Sequence, residues 1–278
     1  MSWTDYKFDF LRTVSKQLIE ELNSLKKTEL TGASLDLLSE FQKEKKLKEG
    51  VYILYLDDSP VYLGKSDNIR DRLHQHISKL RGRLSGELPI DVSRVFFKAL
   101  LLDNSMSTAA NEKLLISEFS IEHEGLWNGK GFGPRDPGVH RDTTEPSYFD
   151  KTYPINKSIE VPGIPDRISI GELFSRIKEF APFVFRFEVI PGEVSERYLD
   201  LNGRSRSADA LMSFAITAFP PNWHYAIVSF GMVVYSSRRA YWHTSIVGVS
   251  PGSPPPLPPL KPKEKKEKKT ETKSRAKN

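Results

Sequence analysis

The chain has 278 residues, with 41 Lys and Arg against 36 Asp and Glu, 38% apolar residues and no cysteine. That length allows one large domain or two modest ones, and the missing cysteines exclude disulfides, thiolate metal sites and thiol nucleophiles. No apolar run approaches membrane-spanning length and the N-terminus has no charged-then-apolar leader, so a cytoplasmic protein is expected.

The net charge of +5 is unevenly spread. Residues 261–278 hold nine Lys or Arg and three Glu, a net +6, which leaves residues 1–260 at −1. The basic pI is thus a property of the tail. A local excess does occur at residues 61–100, with eight Lys or Arg against four Asp or Glu. Such a stretch beside a site attracts phosphate.

Residues 5–26 carry Phe10, Leu11, Val14, Leu18, Ile19 and Leu22 at helical spacing, and a second helix is expected from Leu35 to about Lys46. The period then changes. Val51–Leu56 is rich in β-formers, Asp57-Asp58-Ser59-Pro60 is turn chemistry, and Val61-Tyr62-Leu63 is again extended, which predicts a β-hairpin. Asp67 can cap a helix running to about Arg83. Val92–Leu102 reads as a third strand, and Ser105 or Ser107 as the cap of a helix to about Glu122.

Residues 125–157 form a long Gly-, Pro- and Asp-rich loop, and such loops are usually functional or disordered. Beyond Pro162 a helix is expected at 170–181, a strand at 183–190, a helix at 207–219 and one or two strands at 225–235. Residues 251–278 are first Pro-rich and then Lys-rich, a composition that predicts disorder.

Phosphodiester cleavage needs an activated water, charge neutralisation at phosphorus and a stabilised leaving oxygen. One ordered set of residues offers these. Tyr52 and Tyr62 fall on adjacent hairpin strands, and Lys65 follows Gly64. Arg72 and His76 share a helix face. Glu112 lies on the later helix, and Asn128 follows Trp127.

The run Gly50-Val51-Tyr52, nine residues, Tyr62-Leu63-Gly64, then Arg72, His76, Glu112 and Asn128 resembles the GIY-YIG nuclease superfamily. Residues 127–133 (WNGKGFG) with Asp136-Pro137-Gly138 resemble its type II restriction branch, and Ser147–Asp150 with Tyr153-Pro154 fit the same pattern. The resemblance implies an α/β (α+β) fold with a small antiparallel three-stranded sheet flanked by helices.

The resemblance also implies roles. Tyr52 would help generate or position the attacking hydroxide. Tyr62 would orient water or the scissile phosphate, and Arg72 would bind that phosphate. His76 and Lys65 would assist proton transfer or hold Tyr52. Glu112 would be the only direct protein ligand of one Mg²⁺ or Mn²⁺, and Asn128 would fix local geometry. The substrate would be double-stranded DNA, cut by a homodimer because palindromic double cleavage needs two sites.

Alternatives remain within the sequence. Arg70 and His74 repeat the four-residue spacing but lie roughly 200° around the helix from Arg72 and His76. Glu118 is a rival carboxylate. Asp136, His140, Arg141 and Asp142 could touch DNA or a second metal. Arg204, Arg206, Arg238 and Arg239, the latter two beside Tyr241 and Trp242, have the character of a DNA-reading surface, though ordinary solvated loops explain them slightly better. A structure-specific repair, recombination or phage-defence nuclease, or an inactive DNA-binding module, would share the same motifs. The expected organisation is a helical segment at 1–46, a nuclease domain at 47–160, an α+β unit at 161–250 and the tail from 251.

Overall fold

The computed structural model describes residues 9–133 and 138–262. Residues 5–8 of the expected first helix, Asp136-Pro137 and the Lys-rich end from residue 263 lie outside the described residues. The fold is mixed α/β, with small, mainly antiparallel sheets and flanking helices.

Helix α1 (Phe10–Ser24) starts at Asp9, whose side chain accepts from the Arg12 amide, and buries Val14, Leu18 and Leu22. Helix α2 (Gly32–Lys45) starts earlier than its apolar pattern suggests, because Thr31 and Ser34 form a capping box. Strands β1 (Gly50–Leu56) and β2 (Ser59–Ser66) follow. Their turn is only Asp57-Asp58, with Asp57 left-handed at φ +55°, so Ser59 and Pro60 belong to β2 instead.

Helix α3 (Ile69–Arg81) is capped by Asn68, which accepts from the Asp71 amide; Asp67 is one residue too early and exposed. Strand β3 (Val95–Leu101) follows a short 3-10 turn. The single helix expected to Glu122 is two. A short helix Asn104–Ala109 is capped by Asp103, and α4 (Glu112–Glu122) by Asn111. Extended backbone at Ala110 and Asn111 breaks the helix. Ser107, one of the expected caps, donates to Glu49 instead.

Thr28–Glu29 adds a fourth, edge strand, so the first sheet has the order Thr28–Glu29, β3, β1, β2, antiparallel throughout. The alternation of β1 separates two cores. Tyr52 and Leu54 pack with α2 and α3, while Val51, Ile53 and Leu63 pack with α1 and α4. Residues 9–46 are therefore built into this unit rather than set apart from it.

The second unit contains α5 (Ile170–Phe180), β4 (Val184–Phe187), α6 (Ala208–Ala215), β5 (His224–Val228), β6 (Gly231–Tyr235) and β7 (Ile246–Val249). Its sheet runs β7, β5, β6, β4, with only β6 and β4 parallel. Phe174, Phe185, Leu211, Met212, Tyr225 and Met232 share its core.

The 125–157 loop joins the units and contains a short helix, Tyr148–Thr152. Buried Arg83 donates through Nη1 to Asp150 Oδ1 at 3.0 Å, to the Tyr153 carbonyl at 2.9 Å and to the Ser229 carbonyl at 3.0 Å. Buried Asp142 accepts from Arg186 at 2.5 Å and from the Tyr235 hydroxyl at 2.8 Å. That engagement removes Asp142 as a DNA or metal contact and makes it a tie between the loop and the second sheet.

The Pro-rich stretch departs from the expected disorder over residues 251–262. The Leu260 amide donates to the Tyr241 carbonyl at 2.7 Å, the His243 amide to the Leu260 carbonyl at 2.9 Å, and Arg238 to the Pro255 carbonyl at 2.9 Å. Prolines already hold an extended backbone, so docking costs less entropy than composition alone implies. Among the described residues, no helix is long and apolar enough to cross a membrane.

Candidate active site

The hairpin sets the first two groups. Gly64 faces Tyr52 and Leu54 faces Tyr62 in the β1–β2 register, so both tyrosines project from one face, with ring centroids 6.1 Å apart. The motif glycines have separate reasons. A Cβ at Gly50 would lie 2.0 Å from the Leu100 carbonyl oxygen and push β1 from β3. A Cβ at Gly64 would lie 2.5 Å from both Cζ and the hydroxyl of Tyr52, whose ring crosses that position. We expect Gly64→Ala to cost about 1–3 kcal/mol through overpacking and to displace the Tyr52 hydroxyl. Thermal unfolding and any catalytic rate should both fall; a variant matching the parent in both would contradict this.

Helix α3 supplies the third group. His76 Nε2 lies 2.7 Å from the Tyr52 hydroxyl in a buried hydrogen bond. Phe132 stacks on His76 at 4.8 Å and meets the Tyr62 ring edge-on at 5.1 Å. His76 Nδ1 is buried with no partner among the described residues. Burial pushes the imidazole down to about 3, helped by the charges of Arg72 and Lys79. Burial also holds the Tyr52 phenol well above its ordinary value; Tyr62 and Glu112 add to this and Arg72 opposes it. The resting pair is therefore a neutral phenol against a neutral imidazole.

This has a consequence in acid. Between pH 6.5 and about 3 the unfolded chain binds a proton on His76 that the folded chain refuses. More protons on the unfolded state mean that stability falls as pH drops through that window, by up to about 1.4 kcal/mol per unit from this group. Urea midpoints at pH 7 and pH 4 should differ less for His76→Gln than for the parent. Equal differences would contradict the burial of a neutral imidazole.

Arg72 is half-buried, and its charge acts on Tyr52, Tyr62 and His76. Arg70 turns away to Asp71 at 3.3 Å and Asp36 at 3.9 Å, and His74 is exposed. The Arg72/His76 pair therefore faces the tyrosines.

Glu112 is the first residue of α4, where the helix dipole favours an acidic side chain. Its charge raises both phenols. Glu118 is held on the α1 side by Arg12 at 2.8 Å and Lys16 at 4.0 Å.

Lys65 departs from its expected part in proton transfer. Alternation puts it on the sheet face opposite Tyr62, and its ammonium donates to the Ser107 carbonyl and, at 3.0 Å, to the Ala110 carbonyl. It clamps the turn that delivers Glu112. Asn128 completes the open edge of β2. Its Oδ1 accepts from the Leu63 amide at 3.0 Å and its Nδ2 donates to the Leu63 carbonyl at 2.7 Å, as a neighbouring strand would. The Trp127 amide adds a bond to the Val61 carbonyl at 2.6 Å.

Phe132 carries no role legible in the sequence beyond its place in Gly131-Phe132-Gly133; its contact with His76 exists only in three dimensions. The other arginines have structural work. Arg204 lies 3.9 Å from the Phe214 ring centroid and Arg239 4.1 Å from that of Tyr235, while Arg206 pairs with Asp166 at 2.6 Å. Tyr241 and Trp242 are buried.

Among the described residues no three His, Asp or Glu side chains gather to hold a metal. Any cation here would rest on Glu112 and water. That suits Mg²⁺ or Mn²⁺, since Mg²⁺ keeps several waters and needs only one or two carboxylates. No protein-family model and no curated protein matches this chain.

Proposed function

We propose that the chain is a divalent-metal-dependent DNA endonuclease of the GIY-YIG kind, restriction-type in its action on double-stranded DNA and working as a homodimer. One observation carries the reading. The charges of Arg72 and Glu112 both act on the Tyr52–Tyr62 pair, yet neither side chain forms a hydrogen bond or ion pair among the described residues. A guanidinium and a carboxylate left open around a phenol pair suit a substrate with one anion to bind and one cation to share.

In this reading Arg72 holds the scissile phosphate and spreads its developing charge. Tyr52 keeps its proton toward His76, so its oxygen is free to accept from water and aim it. Tyr62 orients the same water or a phosphate oxygen. When bound at Glu112, a divalent ion supplies positive charge for the phosphate and favours phenolate character at Tyr52. Asn128 and Lys65 hold the two sides of the site in register. Digestion of duplex DNA of known sequence with Mg²⁺, followed by end mapping, tests the specificity. Ends at one recurring sequence support restriction-type action; cleavage confined to branched or damaged DNA would replace it with a structure-specific enzyme.

A further inference from the structure

A cavity of about 710 Å³ opens between the C-terminal half of α3, the Gly129–Gly133 loop and the residues leading into β4. None of Tyr52, Tyr62, Arg72 or Glu112 lines it. Phe132 is the common wall, since it lines the cavity and also stacks on His76.

Among the described residues the ionisable lining is Lys79, Arg83, Arg141 and Asp150, three cations around one carboxylate. The carboxylate is already engaged. Arg83 donates to Oδ1 at 3.0 Å, and Arg141 and the Ser147 hydroxyl reach Oδ2 at 3.3 and 2.6 Å. Lys79 is left with the Gly133 carbonyl at 2.5 Å and the faces of Phe132 and Phe149 at 5.4 and 5.6 Å. It forms no ion pair among the described residues. Burial, then repulsion from Arg83, lowers Lys79 to about 8, with Asp150 opposing and Arg141 adding. A sheltered cationic excess is costly unless an anion completes it.

The volume falls within the roughly 300–1,000 Å³ of small-ligand sites, enough for a nucleotide. Lys79 also follows Arg72 by seven residues on the same side of α3, about 10 Å along the axis. That is about three steps of one duplex strand.

We propose that this cavity is an anion subsite for a nucleotide phosphate, with Lys79 and Arg141 as its ligands. Resting on the nuclease reading, the phosphate belongs to the DNA strand whose scissile group Arg72 holds.

The test uses the full chain without divalent ion, so that DNA is bound and not cut. A labelled duplex is titrated at several salt concentrations against the parent, Lys79→Gln, Lys79→Arg and Arg141→Gln. Lys79→Gln and Arg141→Gln should each weaken binding about tenfold at low salt and lower the slope of log affinity against log salt by about one. Lys79→Arg should retain both. In parallel, acetylation of Lys79 in the unaltered protein is followed by mass spectrometry with duplex, dAMP or inorganic phosphate, which decides the matter even if a variant misfolds. Protection by duplex supports a DNA phosphate. Protection by dAMP or phosphate alone supports the subsite but assigns it to a free nucleotide. Unchanged affinity and slope in folded Lys79→Gln, or failure of every anion to protect Lys79, overturns the subsite. The nuclease reading fails separately, if the unaltered chain and Glu112→Ala are equally inert toward DNA with Mg²⁺.

Discussion

Glu112→Ala is expected to lower metal-dependent DNA cleavage by about 10³-fold, or about 4 kcal/mol of barrier, with little change in stability. The side chain is exposed and accepts no hydrogen bond or salt bridge among the described residues, so its loss should alter folding by no more than about 0.5 kcal/mol. The catalytic effect should be large because no other described carboxylate is free to replace it. Glu118 is occupied with Arg12 and Lys16, and no other described cluster of acids or histidines gathers to hold a cation. Raising the Mg²⁺ or Mn²⁺ concentration should restore little. Cleavage rates and melting curves on the same preparations check this; near-normal cleavage by a folded Glu112→Ala would remove Glu112 from the chemistry.

Tyr52→Phe should show a different signature, losing activity and stability together. The ring can still cross Gly64, so the hairpin should form. The lost hydroxyl leaves His76 Nε2 without its 2.7 Å partner, in a ring whose Nδ1 already has none among the described residues. An unsatisfied buried polar atom costs about 1–3 kcal/mol. If Tyr52 aims the attacking water as proposed, its loss should cost about 10²–10⁴-fold in rate. Tyr62→Phe provides the contrast, because no bond to His76 depends on it; its effect should fall mainly on rate. Denaturant unfolding beside cleavage kinetics separates the two. A Tyr52→Phe chain that cleaves as fast and unfolds as late as its parent would contradict the proposed role.

Much of the first unit was legible because local chemistry and burial agree there. The β-formers of Val51–Leu56 and the short polar turn at Asp57-Asp58 make the hairpin, and a four-residue spacing puts Arg72 and His76 on one face. Choosing between Arg72 and Arg70 required tertiary contacts, since both spacings are helical. The break between Ala109 and Glu112 was less visible. Asp103 and Asn111 are better caps than Ser105 and Ser107 in this setting, and the split makes Glu112 a helix-starting residue. Lys65 illustrates a limit of motif reading. Its place after Gly64 suggested chemistry, but strand alternation sends it through the sheet to the carbonyls that hold α4. The Arg83–Asp150 junction and the docked Pro-rich stretch depend on partners far along the chain, which no local pattern records.

The most direct test of the central claim is conversion of supercoiled plasmid by the purified chain with Mg²⁺ or Mn²⁺, with chelator, and with Glu112→Ala. The account predicts nicked or linear product only for the unaltered chain with the ion. Equal inertness of the unaltered chain and Glu112→Ala across plasmid, linear duplex and branched DNA would contradict it, as would cleavage indifferent to both the ion and Glu112.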